Sequence, residues 1–474
     1  MVFDSVEFFL FLPIVFIVYW KSRSLASRNL LLLAASYFFY GYWDYRFLAL
    51  IVVSSAVDFV VGLKIANTSQ ARPRRFWLAT SLIVNLGILG FFKYFNFFID
   101  SANSLLMSVG LDSQLYSLQI ILPVGISFYT FQTLSYTIDV YRGEIEAERD
   151  WLKFFTFVSF FPQLVAGPIE RASNLLPQFH DVKEFRYIEV VEGLRQILWG
   201  LFKKVAIADR CAFIVNHAFE HDEKLSWYFL AFGVVAFAFQ IYCDFSGYSD
   251  IAIGTAKLFG FKLMANFRYP YFSRDIAEFW RRWHISLSSW FRDYVYIPLG
   301  GSRTSLARAV VNIWIVFLLS GLWHGAKWTF VVWGALHAAY FLPLFFLKQN
   351  RVNSAKEVVG FSWTLIPKIL LTFFLVCIGW VFFRANDLPS ALGYFSNVLS
   401  FRMALPSLDL VAQSILVSLM LGLLLVMDWT WQNQDYPFQN SSGRSWVRWS
   451  YYVLVGTAVF ANGSSENTFI YFQF

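Results

Sequence analysis

The fold is decided by two long apolar runs separated by a short polar break, residues 309–347, AVVNIWIVFLLSGLWHGAKWTFVVWGALHAAYFLPLFFL. A bilayer core about 30 Å thick needs about 20 helical residues to cross it. The first run, 309–322, would extend only about 21 Å as a helix, since a helix rises about 1.5 Å per residue. The break that holds His324 and Gly325 is therefore predicted to lie inside the membrane. Irregular backbone at that depth is tolerated when it packs in protein or lines a cavity.

Composition supports a membrane protein along the whole chain. Of 474 residues, 58% are hydrophobic and 15% are charged, whereas soluble domains average about 45–50% and about 25%. A soluble enzyme, a disordered chain and a fibrous repeat are excluded. We predict an all-α polytopic membrane protein, one domain over 1–474, with about 10–13 membrane helices, some of them re-entrant or interfacial. The apolar runs lie near 7–20, 29–43, 47–63, 77–99, 115–138, 151–168, 192–217, 227–243, within 309–347 (two runs), and near 364–383, 409–428 and 447–461.

The positive charge fits membrane topology rather than nucleic-acid binding. The net charge is +7, and the loops after the first and third runs hold a basic excess that the loops after the second and fourth lack. Basic loops stay in the cytoplasm, so the N-terminus is predicted to lie outside. The acidic start is not that of a cleavable signal peptide. Three cysteines in apolar surroundings, Cys211, Cys243 and Cys377, are predicted to be small buried residues.

The segment 268–308 interrupts the apolar pattern with seven arginines and three acidic residues. Such a segment is unsuited to crossing lipid, and its positive excess predicts a cytoplasmic position. Within it, 275–291 is predicted to form one amphipathic interfacial or re-entrant helix. Its apolar stripe would contain Trp280, Trp283, Leu287 and Trp290, and a neighbouring polar line would contain Arg281, His284 and Ser288.

Four of the six histidines carry weak functional signals. His180 is expected to be a solvated loop residue. His217 and His221, in HAFEH, fit a short metalloprotease pattern, but no third ligand is evident and a solvated loop is favoured. His337 would face away from His324 on one continuous helix and is interpreted as structural.

His324 and His284 are stronger candidates. Each alone would be read as a hydrogen-bonded core histidine. However, ionisable side chains in membrane regions usually line pathways, and a desolvated histidine stays neutral and suits a general base. Near them along the chain, Gln240, Asp244 and Tyr248 share one helical face. They either bond neighbouring helices or line a tunnel.

Several motifs resemble those of the membrane-bound O-acyltransferase family. They are DFSGYSD (244–250), EFWRRWHISLS (278–288), FRDY (291–294) and LWHG (322–325), with FFLFLP (8–13), LPVGISFY (122–129), IDVYRG (138–143) and FIYFQF (469–474). The order of the motifs follows the family pattern over essentially the whole chain. The most similar branch contains the bacterial alginate O-acetyltransferases, and the teichoic acid D-alanyltransferases are more distant.

The resemblance implies a bowl of helices around a central tunnel, with a cytoplasmic donor mouth and an opposite acceptor mouth. His324 matches the catalytic histidine of the family and His284 matches its second active-site position. The implied reaction moves an acetyl group from a cytoplasmic thioester, acetyl-CoA or a carrier protein, to an exported polysaccharide. In this branch a periplasmic partner resembling SGNH hydrolases often takes part. We expect a bacterial inner-membrane location, contact with membrane lipids, no nucleic acid, no metal and no bound cofactor.

Six further residues are predicted to contact substrate. Arg281 and Arg282 would attract the phosphates of the donor, although interfacial arginines also contact lipid headgroups. The others are Trp283, Trp323, Asp244 and Tyr248. Two alternatives stay open. One is a lipid or protein acyltransferase that uses long acyl chains, and the other is a non-enzymatic component of polysaccharide export.

Overall fold

A computed structural model describes residues 1–111, 115–355, 357–360, 362–437, 439, 445–462 and 469–470. In these ranges the chain is helical and contains no strand, which confirms the all-α prediction. The last four residues of the motif at 469–474 lie outside the described part.

The chain divides into two compact units. The first comprises Met1–Leu194 and Ala252–Met264. Its described helices are α1 (Val6–Lys21), α2 (Leu25–Asp44), α3 (Leu48–Ala66), α4 (Ala71–Leu89), α5 (Phe95–Ser108), α6 (Ile126–Arg142), α7 (Trp151–Ser159), α8 (Phe161–Leu164) and α9 (Ala172–Leu175). Helix α3 packs against α4, α6 and α7, and α2 packs against α7.

The second unit comprises Arg195–Ile251 and Ala265–Phe474. Two helices, α10 (Tyr187–Leu201) and α12 (Trp227–Leu258), begin in one unit and end in the other. The remaining described helices are α11 (Asp209–Glu220), α13 (Ile276–Arg282), α14 (Ile285–Phe291), α15 (Leu306–His324), α16 (Trp328–Phe346), α17 (Ile366–Arg384), α18 (Leu388–Leu399), α19 (Leu408–Thr430) and α20 (Ser445–Asn462). That residues 1–474 form one domain stays a prediction.

Helices α15 and α16 pack closely because glycines face each other's backbone. A Cβ at Gly321 would collide with the carbonyl of Phe330, and one at Gly334 would collide with the carbonyl of Phe317. Small residues at such crossings let membrane helices approach closely. Helix α17 packs on α16, so these three helices form the frame around His324.

Seven stretches of the described chain are long and apolar enough to cross a membrane, and two of these, Leu25–Ala66 and Ala71–Ser108, are about twice the length of one crossing. The chain is therefore a multi-pass membrane protein, as predicted. All three cysteines are buried and free, also as predicted.

Several predicted boundaries are wrong. Helix α15 has 19 residues and not 14, because Ser305 caps it before the apolar run begins. The run 151–168 is not one helix, since Phe160 leaves the helical region before Pro162. The run at 115–138 becomes helical only from Ile126. Helix α12 has 32 residues and reaches beyond the predicted end at 243, which places Asp244 and Tyr248 inside it.

Candidate active site

The chain breaks at His284, where the sequence predicts one continuous helix over 275–291. Helix α13 ends at Arg282 and α14 begins at Ile285, and His284 has φ 42° and ψ 55° in the left-handed region. The helix prediction is therefore wrong, and Arg281, His284 and Ser288 do not share one helical face. The cause is a neighbouring segment that takes the hydrogen bonds of the break. The Arg268 amide donates to the Arg282 carbonyl (2.9 Å), and the Ile285 amide donates to the Asn266 carbonyl (2.8 Å).

The His284 side chain is fully buried among rings. Its ring centroid lies 4.7 Å from that of Phe245 and 5.5 Å from that of Trp323. Its Nδ1 lies 3.0 Å from Oδ1 of Asn266, and its Nε2 has no hydrogen-bond partner among the described residues. Burial lowers the pKa of His284 to about 3, so the imidazole is neutral near pH 7.

His324 is the last residue of α15 and is buried at the break that the sequence predicts. Gly325 follows with extended backbone. A Cβ at Gly325 would collide with the ring of Phe330, which would have to move to admit a larger residue. The His324 ring contacts those of Trp333 (5.1 Å between centroids) and Phe383 (5.2 Å). The helix end thus presents His324 inside a wall of aromatic side chains.

The structure brings the two predicted catalytic histidines together. The ring centroids of His284 and His324 lie 6.2 Å apart, although the residues are forty positions apart in the chain. Trp323 touches both, at 5.5 Å from His284 and 5.1 Å from His324. A substrate group placed between these two neighbouring imidazoles would lie close to a nitrogen base, as acid–base catalysis requires. Their catalytic roles stay predictions.

His337 does not turn away from this region. It contacts Trp333 (4.8 Å between centroids), the same side chain that contacts His324. The prediction of opposite faces is wrong because α15 ends and α16 begins between the two histidines. Trp280 donates from Nε1 to Nδ1 of His337 at 3.3 Å, which fits its interpretation as a structural residue.

Of the two predicted tryptophan contacts, Trp283 lies in the aromatic core. It is fully buried and contacts Phe267 (5.0 Å), Phe279 (5.5 Å) and Trp380 (5.0 Å). Trp323 instead touches both histidines. As a candidate contact with substrate, Trp323 therefore has the better placement, and Trp283 supports the position of His284 next to it in the chain.

The two adjacent arginines have different surroundings. Arg282 is 1% exposed; its Nη2 pairs with Glu278 at 2.8 Å and donates to the Glu357 carbonyl at 2.7 Å. Arg281 is half-buried and donates from Nη1 to the Asn350 carbonyl at 2.7 Å. Its Nε and Nη2 have no hydrogen-bond partner among the described residues. Of the two arginines predicted to attract phosphates, Arg281 therefore has guanidinium N–H donors without a partner among the described residues.

The polar face of α12 is engaged by neighbouring segments. Asp244 is buried and pairs with Nζ of Lys204 at 2.8 Å, and its Oδ2 accepts the Ile470 amide at 2.6 Å. The Tyr248 ring packs on Phe469 (4.6 Å). These contacts favour the interpretation in which this face bonds neighbouring elements. A substrate contact at Asp244 or Tyr248 stays a prediction.

Two of the remaining histidines bond other partners. His180 has a 45% exposed side chain and bonds Glu148 at 2.6 Å. His217 lies on α11, not in a loop, with its Nδ1 2.9 Å from the Phe213 carbonyl. No group of three or more metal-ligating side chains that could hold an ion occurs in the described part of the chain.

Asn266 is the site residue that sequence reasoning missed. It is buried and joins the segment before α13 to the turn that holds His284. Eighteen residues separate it from His284, and no helical or strand spacing links positions that far apart. In the sequence, the one feature that could have drawn attention to Asn266 is a polar amide side chain in an apolar stretch.

The sequence of this chain is similar to those of several known proteins. Residues 148–383 match the sequence model of the membrane-bound O-acyltransferase family. The chain is 43% identical to a probable alginate O-acetylase of Pseudomonas aeruginosa, over 85% of this chain and 75% of that protein. It is 34% identical to a peptidoglycan O-acetyltransferase of Helicobacter pylori, over 98% and 96%. It is 30% identical to a teichoic acid D-alanyltransferase of Bacillus subtilis, over 56% and 69%. His284 and His324 both lie within the matched region.

Proposed function

The chain belongs to the membrane-bound O-acyltransferase family, and from this premise we propose that it takes an acetyl group from cytoplasmic acetyl-CoA and passes it across the bacterial inner membrane. The acetyl group would then form an ester on an exported polysaccharide. The observation that carries this proposal is the pair of buried imidazoles, His284 and His324, with ring centroids 6.2 Å apart. Two buried imidazoles that lie next to each other fit a reaction that moves a proton as it transfers an acyl group.

In the proposed reaction, the oxygen of an acceptor hydroxyl attacks the carbonyl carbon of the thioester. The new C–O bond forms, the C–S bond breaks, and His324 takes the hydroxyl proton and returns it to the leaving sulfur. The products are an O-acetyl ester and a free thiol. His284 orients the thioester or stabilises the charge that develops on its oxygen.

Arg281 is the residue that we propose to hold the phosphates of the donor. Guanidinium groups bind phosphate through several parallel hydrogen bonds, and neither Nε nor Nη2 of Arg281 has a hydrogen-bond partner among the described residues. Arg282, next to it, is committed to Glu278 and supports the local fold. The excess of arginine in 268–308 supports a donor site at the cytoplasmic face.

The acceptor is proposed from the names of the relatives. One is named a probable alginate O-acetylase and another a peptidoglycan O-acetyltransferase, and both names specify a glycan polymer. We propose the same class of acceptor here, reached through a periplasmic partner resembling SGNH hydrolases. Alginate is the leading candidate because those relatives have the higher identity, and peptidoglycan is the main alternative because that relative matches along almost all of its length.

The test compares wild type with His324→Ala in proteoliposomes that contain acetyl-CoA labelled in the acetyl group. General base catalysis contributes about 10²–10⁴-fold to a rate, so His324→Ala should lose transfer by that factor while its thermal unfolding stays near that of wild type. His217→Ala is the matched control, because it removes a histidine outside the site and should leave transfer unchanged.

The acceptor is tested in the same vesicles. Oligomers of alginate and fragments of peptidoglycan are supplied in turn, with and without a purified periplasmic partner of the SGNH class. Label on one of them identifies the acceptor. Equal transfer by wild type and His324→Ala would contradict the role of His324, and thioester that stays intact with every acceptor would contradict acetyl-CoA as donor.

A further inference from the structure

We infer that Asn266 is a positioning residue that holds His284 in the tautomer with its proton on Nδ1, which leaves Nε2 as a hydrogen-bond acceptor facing the reaction. The role that follows for His284 rests on the proposed function. It would accept a hydrogen bond from a hydroxyl or amide N–H of a substrate, and would not donate one to the oxygen of the thioester. Of the two roles proposed for His284, this selects orientation over oxyanion stabilisation.

The orientation of the Asn266 side chain is fixed by a backbone amide. The Ser286 N–H lies 3.4 Å from the Asn266 atom assigned as Oδ1, and an N–H can only donate, so the atom that faces it must be the oxygen. The other end of the Asn266 amide donates from Nδ2 to Oγ of Ser249 at 3.1 Å. Both contacts agree on the same orientation of the amide.

The tautomer of His284 follows from that orientation. Oδ1 of Asn266 lies 3.0 Å from Nδ1 of His284 and also accepts from Oγ of Ser286 at 2.9 Å. A carbonyl oxygen accepts and never donates, so Nδ1 must carry the proton. In a neutral imidazole the other nitrogen is then bare, and Nε2 is that nitrogen.

Asn266 is itself held firmly enough to impose this choice. Its carbonyl accepts the Ile285 amide at 2.8 Å, so its backbone and its side chain both bind the turn at 284–286. The side chain is about 1% exposed, which keeps water from competing for Oδ1. The left-handed backbone of His284, which costs energy for a residue with a side chain, is the conformation that points Nδ1 at Asn266.

The surroundings of His284 keep it neutral. Its ring lies near those of Phe245, Phe267, Trp323 and His324. Among the described residues, His324 is the one titratable group in ring contact with it, and Asn266 is uncharged. An unprotonated Nε2 without a partner in a buried site is therefore available to a substrate donor.

The test is the pH dependence of Asn266→Asp. A carboxylate at Oδ1 favours the imidazolium and raises the pKa of His284, and protonation converts Nε2 from acceptor to donor. If His284 acts as acceptor, kcat/KM of the variant falls as pH drops from about 8 to about 6, where wild type changes less. If His284 acts as an oxyanion donor, the variant gains activity toward acid, which would overturn the inference.

Two further variants separate positioning from folding. Asn462→Asp makes the same substitution on α20 beside Arg210, with Nε of Arg210 at 2.5 Å from the Asn462 side chain, and should leave the pH profile unchanged. Asn266→Leu removes the acceptor for Nδ1, so the tautomer is no longer fixed and kcat should fall at every pH. If Asn266→Leu retains wild-type kcat, the positioning role is wrong.

A spectroscopic measurement keeps the inference separate from the proposed function. Nitrogen NMR of histidine-labelled protein, with His284→Gln to assign the signal, reports which ring nitrogen is protonated. An unprotonated Nε2 in wild type supports the inference even where acetyl transfer is not observed. A protonated Nε2 refutes it even where transfer depends on both histidines.

Discussion

A polar cluster in the first unit and the histidine pair in the second bury polar groups in two different ways. In the first unit the Asp58 carboxylate accepts hydrogen bonds from Ser81, from Nδ2 of Asn85 at 2.9 Å and from Oγ1 of Thr137 at 3.0 Å. Oδ1 of Asn85 in turn accepts from Ser54 at 2.6 Å. In the second unit Nδ1 of His284 is bonded to Asn266, while Nε2 has no partner among the described residues.

This difference distinguishes buried polar groups that stabilise the fold from buried polar groups that can take part in chemistry. A buried polar group without a partner costs about 1–3 kcal/mol, so one is retained where something repays the cost. In the Asp58 cluster, neighbouring side chains donate hydrogen bonds to the buried carboxylate. These bonds link α3 to α4 and α6. In the histidine pair, Nε2 of His284 has no partner among the described residues and is available to a bound substrate.

The two adjacent arginines also differ in use, and replacing Arg282 has the largest expected effect on stability. Arg282→Ala should lower the free energy of unfolding by about 3–5 kcal/mol, because it leaves Glu278 buried with one cation fewer. Arg281→Ala removes a half-exposed side chain with unused donors and should leave unfolding almost unchanged. It should instead raise KM for the donor roughly tenfold, the loss expected for about one charged hydrogen bond. Thermal unfolding and initial rates are measured for both variants. A stability loss in Arg281→Ala with a raised KM in Arg282→Ala would contradict these assignments.

The Asp58 cluster supplies a smaller effect of the opposite kind. Asp58→Ala leaves the Asn85, Ser81 and Thr137 donors without their acceptor, and should cost roughly 1–3 kcal/mol of stability. The transfer rate per folded molecule should not change, because this cluster is assigned no part in chemistry. Asp44→Ala is the control, since Asp44 pairs with the exposed Arg46 and such pairs contribute little. A loss of kcat in folded Asp58→Ala would contradict the structural assignment.

Much of the frame was predictable from hydrophobic runs. The helices α2, α3, α4, α15, α16, α17 and α19 fall where long apolar segments predict them, because a membrane helix must satisfy its own backbone and carry an apolar surface. The break at His324 was predictable because the apolar run is interrupted there and Gly325 follows directly. Helix ends were less predictable because caps such as Ser305 lie outside the apolar run.

The details of the site were not predictable from local patterns. The apolar period continues through 275–291, but at the break the Ile285 amide bonds Asn266 and the Arg282 carbonyl bonds Arg268 in place of helical partners. Tertiary hydrogen bonds of this kind override local periodicity and have no signature in spacing. Arg282 is bonded to Glu278 and to the Glu357 carbonyl, whereas Arg281 is bonded to the Asn350 carbonyl. Sequence reasoning could not place the segment around 350–357 beside the two arginines.

His284 and His324 are proposed to act as one centre, and a double-mutant cycle tests whether they do. Acetyl transfer is measured for wild type, His284→Ala, His324→Ala and the double variant under one set of conditions. Residues that act as a unit give strongly non-additive losses. The account predicts that the double variant transfers acetyl at about the rate of the slower single variant. Losses that multiply, so that the double variant is slower by the product of the two factors, would contradict a shared centre.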